Sequence, residues 1–215
     1  MIELNKIYCG DCLEVMKEME DNSVDLVLTD PPYGTGAYKK GTMGGGVLAK
    51  QSTYKATNWD GFIPSKEYFD EIRRISKNQI IFGGNYFIEY LANSSCWIVW
   101  DKENGDNDFA DCELAWTSFK TAVRKYKFRW QGMLQQDMKN KEYRFHPTQK
   151  PLEVMKWILN NYSKEGDIVF DGFAGSGSTL VACEQLKRKW IGVEQNKDYI
   201  KDIHYRLDNL QKTLF

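Results

Sequence analysis

The chain has 215 residues, 42% hydrophobic and 27% charged, with a net charge of −1, the proportions of an ordinary globular protein with room for a sizeable core. No run approaches the roughly 18–20 apolar residues needed to cross a bilayer, and Met1-Ile2-Glu3-Leu4-Asn5-Lys6 lacks the long apolar stretch of a signal peptide, so a cytoplasmic location is expected. Five cysteines, thinly spread, argue against a disulfide framework, and bulk charge gives no reason to expect a polyanion partner.

Strand-like and helix-like segments alternate along the chain, which points to an α/β fold. Ile7-Tyr8-Cys9 reads as a short strand, and Asp11 to Met19 has helical spacing at Leu13, Met16 and Met19. Between them Cys9-Gly10-Asp11-Cys12 has the C-x2-C form, but neither His146 nor His204 supplies the second ligand pair a structural zinc needs, so no metal is expected. Val24-Asp25-Leu26-Val27-Leu28 is a buried strand that runs into Thr29-Asp30-Pro31-Pro32-Tyr33-Gly34. Prolines remove backbone donors and bias the residue before them toward an extended shape. Asp30 and Pro31 are therefore held stiffly at the strand's carboxyl end, where parallel α/β sheets bind ligands. Taken alone, the stretch is also a rigid turn with Tyr33 plugging the core.

Residues 34–58 are polar and glycine-rich, a mobile loop that is either plain surface or an active-site lid. A helix is expected over Ser65 to Ser76, a strand over Gln79 to Phe82 before Gly83-Gly84, a short helix near Tyr86 to Leu91, and a strand at Cys96 to Trp100. Asp106-Asn107-Asp108 is not a calcium loop, since Ala110 and Asp111 stand where a ligand and the glycine belong. Strands follow at Glu113 to Phe119 and Val123 to Trp130. After His146-Pro147-Thr148-Gln149-Lys150-Pro151 comes an amphipathic helix, Leu152 to Tyr162. Asp167 to Asp171 is a strand leading through Gly172-Phe173-Ala174-Gly175-Ser176-Gly177-Ser178-Thr179 into a helix ending near Lys187. A strand, Trp190 to Glu194, and a helix, Asp198 to Leu210, follow. With no repeat or linker, residues 1–215 are expected to form one domain.

A strand, a glycine-rich turn and a helix let backbone approach a ligand's polar groups closely. Three ligands compete for this turn. The phosphate-loop spacing fits Gly172, Gly177 and Thr179 but has Ser178 in place of the lysine, so a triphosphate loses its main cation. The dinucleotide pattern fits Gly175 and Gly177 but has Leu180 at the third glycine. An adenosyl cofactor without polyphosphate needs an acid ending the next strand to accept both ribose hydroxyls, and Glu194 stands there. Asp171 would repel a phosphate but not the ammonium of a methionine tail. The plain alternative for Glu194 is a solvated loop acid.

Asp30-Pro31-Pro32-Tyr33 together with Phe170 to Thr179 resembles the S-adenosylmethionine-dependent amino-methyltransferases of DNA, the N6-adenine/N4-cytosine family. The catalytic motif comes first and the cofactor motif last, with His146 to Pro151 just before it, an order that looks like the β class. Gly10-Asp11-Cys12 is similar to the family's adenine-contacting motif, and the resemblance covers nearly the whole chain. It implies a Rossmann-like sheet, mostly parallel with one antiparallel hairpin strand around Glu113 to Trp130, helices on both faces and a permuted motif order. It implies S-adenosylmethionine as cofactor, with Asp11 and the Cys12 backbone at the adenine, Glu194 at the ribose, Asp171 near the methionine amine, and Thr148 and Lys150 near its carboxylate. Asp30, Phe173, Gly175, Ser176, Gly177, Ser178 and Thr179 would line it. The implied partner is double-stranded DNA. Larger members carry a sizeable target-recognition region before the His-Pro-Thr motif. Here 119–145 is a short DNA-recognition insert, and a homodimer could supply further contacts.

The resemblance also gives the opening motif a task. An exocyclic base amine is a poor nucleophile because its lone pair is delocalised, and the base must first leave the duplex. The Asp30 carboxylate and the Pro31 carbonyl, held still by Pro31 and Pro32, can accept both amino hydrogens and favour a pyramidal nitrogen. Tyr33 would stack on the flipped base. Within the family, Asp at the first position favours adenine over cytosine, with N4-cytosine as the alternative.

Between Lys120 and Lys150 nine Lys/Arg face two acids, Asp137 and Glu142. Lys125, Lys127 and Arg129 alternate with Tyr126, Phe128 and Trp130, which on a strand puts cations on one face and aromatics on the other. The aromatics suit a core. The cations suit either solvent or, beside a base-modifying site, DNA phosphates.

Overall fold

The computed structural model describes residues 2–36, 42–43, 52–53, 61–105, 110–131, 134–146 and 148–212. Most of the loop expected over 34–58 lies outside them, as do residues 106–109 and Pro147. In chain order the elements are β1 (Lys6–Cys9), α1 (Cys12–Lys17), β2 (Val24–Thr29), β3 (Thr42–Met43), β4 (Ser52–Thr53), α2 (Lys66–Ile75), β5 (Ser76–Phe82), β6 (Trp97–Asp101), β7 (Cys112–Thr117), β8 (Arg124–Lys127), β9 (Trp130–Gln131), β10 (Leu134–Gln135), α3 (Leu152–Tyr162), β11 (Ile168–Asp171), α4 (Ser178–Gln185), β12 (Lys189–Glu194) and α5 (Lys197–Lys212).

Eight strands form one sheet in the order β1-β12-β11-β2-β5-β7-β6-β8. Every neighbouring pair is parallel except those made by β7, which runs antiparallel to both β5 and β6. This is the mostly parallel sheet with one antiparallel hairpin strand that the resemblance implies. Apolar side chains on both faces of the central strands require cover on both sides. Leu26, Leu28, Ile80 and Val169 pack with Ile158 of α3, Leu180 of α4 and Ile203 of α5. Val27, Ile81, Phe170 and Ile191 pack with Met16 of α1 and Phe69 and Ile72 of α2.

The permuted order matters because β2 and β11, far apart in sequence, pair directly through Leu26↔Val169 and Val27↔Phe170. Both motif-bearing strands therefore end side by side. The carboxyl ends of β1, β12, β11, β2, β5 and β6 share one edge, and the antiparallel β7 brings its first residues to that same edge.

Three elements differ from the sequence reading. The strand expected from Gln79 begins at Ser76, paired with Val24, and α2 passes into it without a loop. The helix expected near Tyr86 to Leu91 is two 3-10 turns, Gly84–Tyr86 and Ile88–Tyr90. The strand expected from Val123 to Trp130 stops at Lys127, where its partner β6 ends at Asp101. Trp130 instead joins the short β9–β10 ribbon.

Candidate active site

Thr29, the last residue of β2, donates its hydroxyl to Asp171 Oδ1 at 2.9 Å, tying the two motif strands together at their ends. Asp30 comes next. Its Oδ1 accepts from the Tyr33 hydroxyl at 2.5 Å, and its Oδ2 accepts from the Lys150 ammonium. Lys150 Nζ also lies 3.1 Å from Glu113 Oε2, and Lys102 Nζ lies 2.6 Å from Glu113 Oε1. The result is a chain of alternating charge, Asp30–Lys150–Glu113–Lys102. Burial pushes the Asp30 carboxyl up, and the Lys150 ammonium pulls it partly back. Burial opposes the charge on Lys150, but Asp30 and Glu113 outweigh it and keep the ammonium protonated. Burial likewise opposes the Glu113 charge, and Lys150 and Lys102 hold that carboxyl below its usual range.

Tyr33 is held by close packing. Gly83 has φ +66°, and a Cβ there would fall 2.1 Å from the Tyr33 ring, so the ring lies against bare backbone. Tyr86 stacks on that ring at 4.8 Å between centroids and 12° between planes, and is itself 49% exposed. Burial and the adjacent Asp30 raise the Tyr33 hydroxyl well above its ordinary pKa, so it remains a donor.

A cavity of about 660 Å³ opens along this edge. Asp11, Cys12, Asp30, Thr148, Lys150, Asp171, Phe173, Gly175, Ser176, Ser178, Thr179 and Glu194 all line it. Gly177 does not; it precedes α4 with φ +75°, and a Cβ there would lie 2.8 Å from Ile203. Of the Pro-Pro motif, Asp30 and Pro32 line the cavity, whereas Pro31 and Tyr33 do not. Glu194 is aimed by backbone: Gly175 N–H donates to Oε2 at 2.8 Å and Asn196 N–H to Oε1 at 2.7 Å. Asp11 caps α1 by accepting from Leu13 N–H at 2.8 Å. Burial pushes the Cys12 thiol up to about 12. Lys150, expected near a methionine carboxylate, has its ammonium between Asp30 and Glu113.

Burial raises the Asp171 carboxyl to about 6, against the pull of the Thr179 hydroxyl, the Phe173 N–H and the Thr29 hydroxyl. Relative to an ordinary carboxyl at 3.8, this stabilises the fold fully only below that value, and the contribution is lost as pH rises through about 6. A cationic ligand at Asp171 has the opposite preference, because it needs the ionised form. Affinity for such a ligand should therefore rise about tenfold per pH unit up to the carboxyl's pKa and level off above it. Asp171→Asn should flatten the profile; calorimetry at several pH values that finds the same slope in both proteins would remove Asp171 from the cation's site.

A family model for N6 and N4 enzymes, described as DNA methylase, matches residues 79–205. The chain belongs to the N6/N4 DNA methylase family. The type II methyltransferase M.HpaI of Haemophilus parainfluenzae is 28% identical over 244 residues, covering 95% of this chain and 74% of its own. M.HinfI of Haemophilus influenzae is 27% identical over 255 residues, covering 97% and 69%. The solved M1.HpyAVI–SAM complex has a TM-score of 0.60 and 26% identity, covering 94% of this chain and 98% of that one. The PvuII cytosine-N4-specific DNA methyltransferase, at 16% identity and a TM-score of 0.61 over 94% of this chain and 85% of that one, shares the fold.

Several residues of this DNA methylase site were not singled out from sequence. Glu113 is one. Neutral His146 is another: burial lowers its pKa to about 3, and its Nδ1 pairs with the Thr148 hydroxyl at 3.0 Å. Tyr68, within the helix expected over Ser65 to Ser76, lines the cavity edge-on to Phe173 at 5.2 Å. Glu142 fastens the 119–145 stretch to the glycine-rich turn, accepting from Gln149 at 2.7 Å, Leu152 N–H at 3.0 Å and Arg206 at 3.0 Å, while Arg206 also donates to Ser176 O at 2.6 Å. On the outer strand β8, Lys125 and Lys127 are exposed and Tyr126 stacks on Trp157 at 4.9 Å, the alternation expected. The methylase also sets acids beside these cations: Lys125 lies 3.3 Å from Asp101 and Lys127 3.4 Å from Glu103. Arg129 is exposed just beyond them. Among the described residues, no cluster of three His, Cys, Asp or Glu could hold a metal ion, and no helix is long and apolar enough to cross a membrane.

Proposed function

We propose that the chain methylates the N6 amine of adenine in double-stranded DNA, with S-adenosylmethionine as methyl donor. The cavity suits that cofactor. Gly10 and Gly175 both line it, and a Cβ would meet no neighbour within 4 Å at Gly10 and none nearer than 4.0 Å at Gly175, so each leaves backbone open to a ligand. Its acids, Glu194 and Asp171, suit a ribose diol and an ammonium. Lys150, the cation in its lining, is already engaged by two carboxylates, which disfavours a polyphosphate.

When bound, S-adenosylmethionine supplies an electrophilic methyl on a sulfonium. The chain's part is to prepare the acceptor. Asp30 and the Pro31 carbonyl take the two amino hydrogens, directing the nitrogen lone pair at the methyl. Positive charge then builds on nitrogen beside the Asp30 carboxylate, which stabilises it. Because burial has raised its pKa, the same carboxylate can receive the proton that nitrogen sheds.

The observation that carries the base assignment is Asp30 at the first position of the motif, with N4 of cytosine as the second reading. Expression in a host without DNA methylation, followed by sequencing for modified bases, tests both. N6-methyladenine is the expected product; N4-methylcytosine overturns the base, and unmodified DNA overturns the activity. Lys125, Lys127 and Arg129 are proposed phosphate contacts. Changing all three to Ala should weaken DNA binding about equally across sequences and reduce its salt slope. An unchanged slope would mean that this face meets solvent.

A further inference from the structure

We propose that Glu113 is a positioning residue for methyl transfer, taking over the Lys150 ammonium when the target amine reaches Asp30. The proposal rests on the methyltransferase reading above and deepens it. With Lys150 on Oδ2 and the Tyr33 hydroxyl on Oδ1, the Asp30 carboxylate is largely neutralised, and both oxygens carry a donor. Each oxygen keeps a lone pair for an amine hydrogen, but a neutralised carboxylate does little for a growing positive charge, so the partner that neutralises it has to move away. The ammonium is the one whose removal restores negative charge.

Releasing a buried ammonium is costly unless another carboxylate receives it. Glu113 Oε2 lies 3.1 Å from Lys150 Nζ yet accepts no aligned hydrogen bond. It is buried beside the ammonium with acceptor capacity to spare. Its other oxygen is fixed by Lys102 at 2.6 Å, so the receiving carboxylate stays ionised and still. Withdrawal from Asp30 gives up one ion pair but leaves Lys150 with the Glu113 pair it already has, so the ammonium is never buried without a carboxylate. The antiparallel direction of β7 makes this possible. Pairing of Phe82 with Ala115 and of Trp100 with Glu113 carries Glu113 beyond the end of β5, level with the motif edge.

The test is a double-mutant cycle of Glu113→Gln with Asp30→Asn, measuring turnover by tritiated methyl transfer at saturating cofactor and DNA. Calorimetry of cofactor binding fixes the active fraction of each protein. Glu113→Gln alone should lower turnover by about tenfold, with cofactor stoichiometry and the KM for DNA unchanged. In the Asp30→Asn background it should have no further effect, because there is no longer a carboxylate to free. Turnover within about twofold of the parent in Glu113→Gln, or equal losses in the two backgrounds, overturns the proposal. If Glu113→Gln binds cofactor substoichiometrically, Glu113→Asp takes its place in the same cycle under the same criteria. Absence of methyl transfer by the unaltered protein would instead overturn the functional reading itself.

Discussion

Asp30→Ala should lower turnover by at least about 100- to 1000-fold at saturating cofactor, the scale of losing one preorganised transition-state group. The fold and the cofactor affinity should be nearly intact. The proposed partner of Asp30 is the target amine, and without Asp30 the Lys150 ammonium still has Glu113 within 3.1 Å. Asp30→Asn keeps the shape and one acceptor but loses the charge, which separates positioning from electrostatics. It should be nearly as damaging as Ala, since charge is what a developing cation needs. Tritiated methyl transfer to unmethylated DNA, with cofactor binding in parallel, decides the matter. Retention of more than about a tenth of normal turnover by Asp30→Ala would make the carboxylate structural.

Glu194→Ala should weaken S-adenosylmethionine binding by roughly 1.5–3 kcal/mol, the scale of a hydrogen bond to a charged group. That corresponds to about a 10- to 150-fold rise in Kd. Part of the loss comes from the chain itself, because Glu194 also holds Gly175 N–H and Asn196 N–H and so shapes the glycine-rich turn. Glu194→Gln is an intermediate case. Its amide oxygen can keep Gly175 N–H, but its NH2 can accept neither from Asn196 N–H nor from a ribose hydroxyl, so affinity should fall between wild type and Ala. Isothermal titration finding unchanged affinity in Glu194→Ala would sink the ribose assignment.

Sequence carried the centre of the fold well, because strands buried on both faces read as unbroken apolar runs: Leu26-Val27-Leu28 and Ile168-Val169-Phe170 needed no partner to be recognised. The glycine-rich turn was legible for a related reason, since few residue types tolerate its backbone. What the sequence hid were contacts between distant segments. Lys150 and Asp30 are 120 residues apart, and nothing local to either predicts that they meet. Glu113 sits where alternation suggests a solvent-facing acid; only the antiparallel pairing of β7 turns it into an active-site neighbour. The basic strand was legible as a pattern but not as a net field, because the neutralising Asp101 ends another strand and Glu103 lies just beyond it.

The stacked pair of Tyr33 and Tyr86 has a further consequence for how DNA is received. If a flipped base is to lie on Tyr33, the seat is already taken, and base capture becomes an exchange of one ring for another. Apparent affinity is then the intrinsic affinity scaled by the fraction of molecules with Tyr86 displaced. Tyr86 is about half in solvent and closes a single 3-10 turn, so its displacement would uncover only the buried half of the ring. An aromatic placeholder of this kind would keep the pocket shaped between turnovers and would disfavour bases still stacked in an intact duplex.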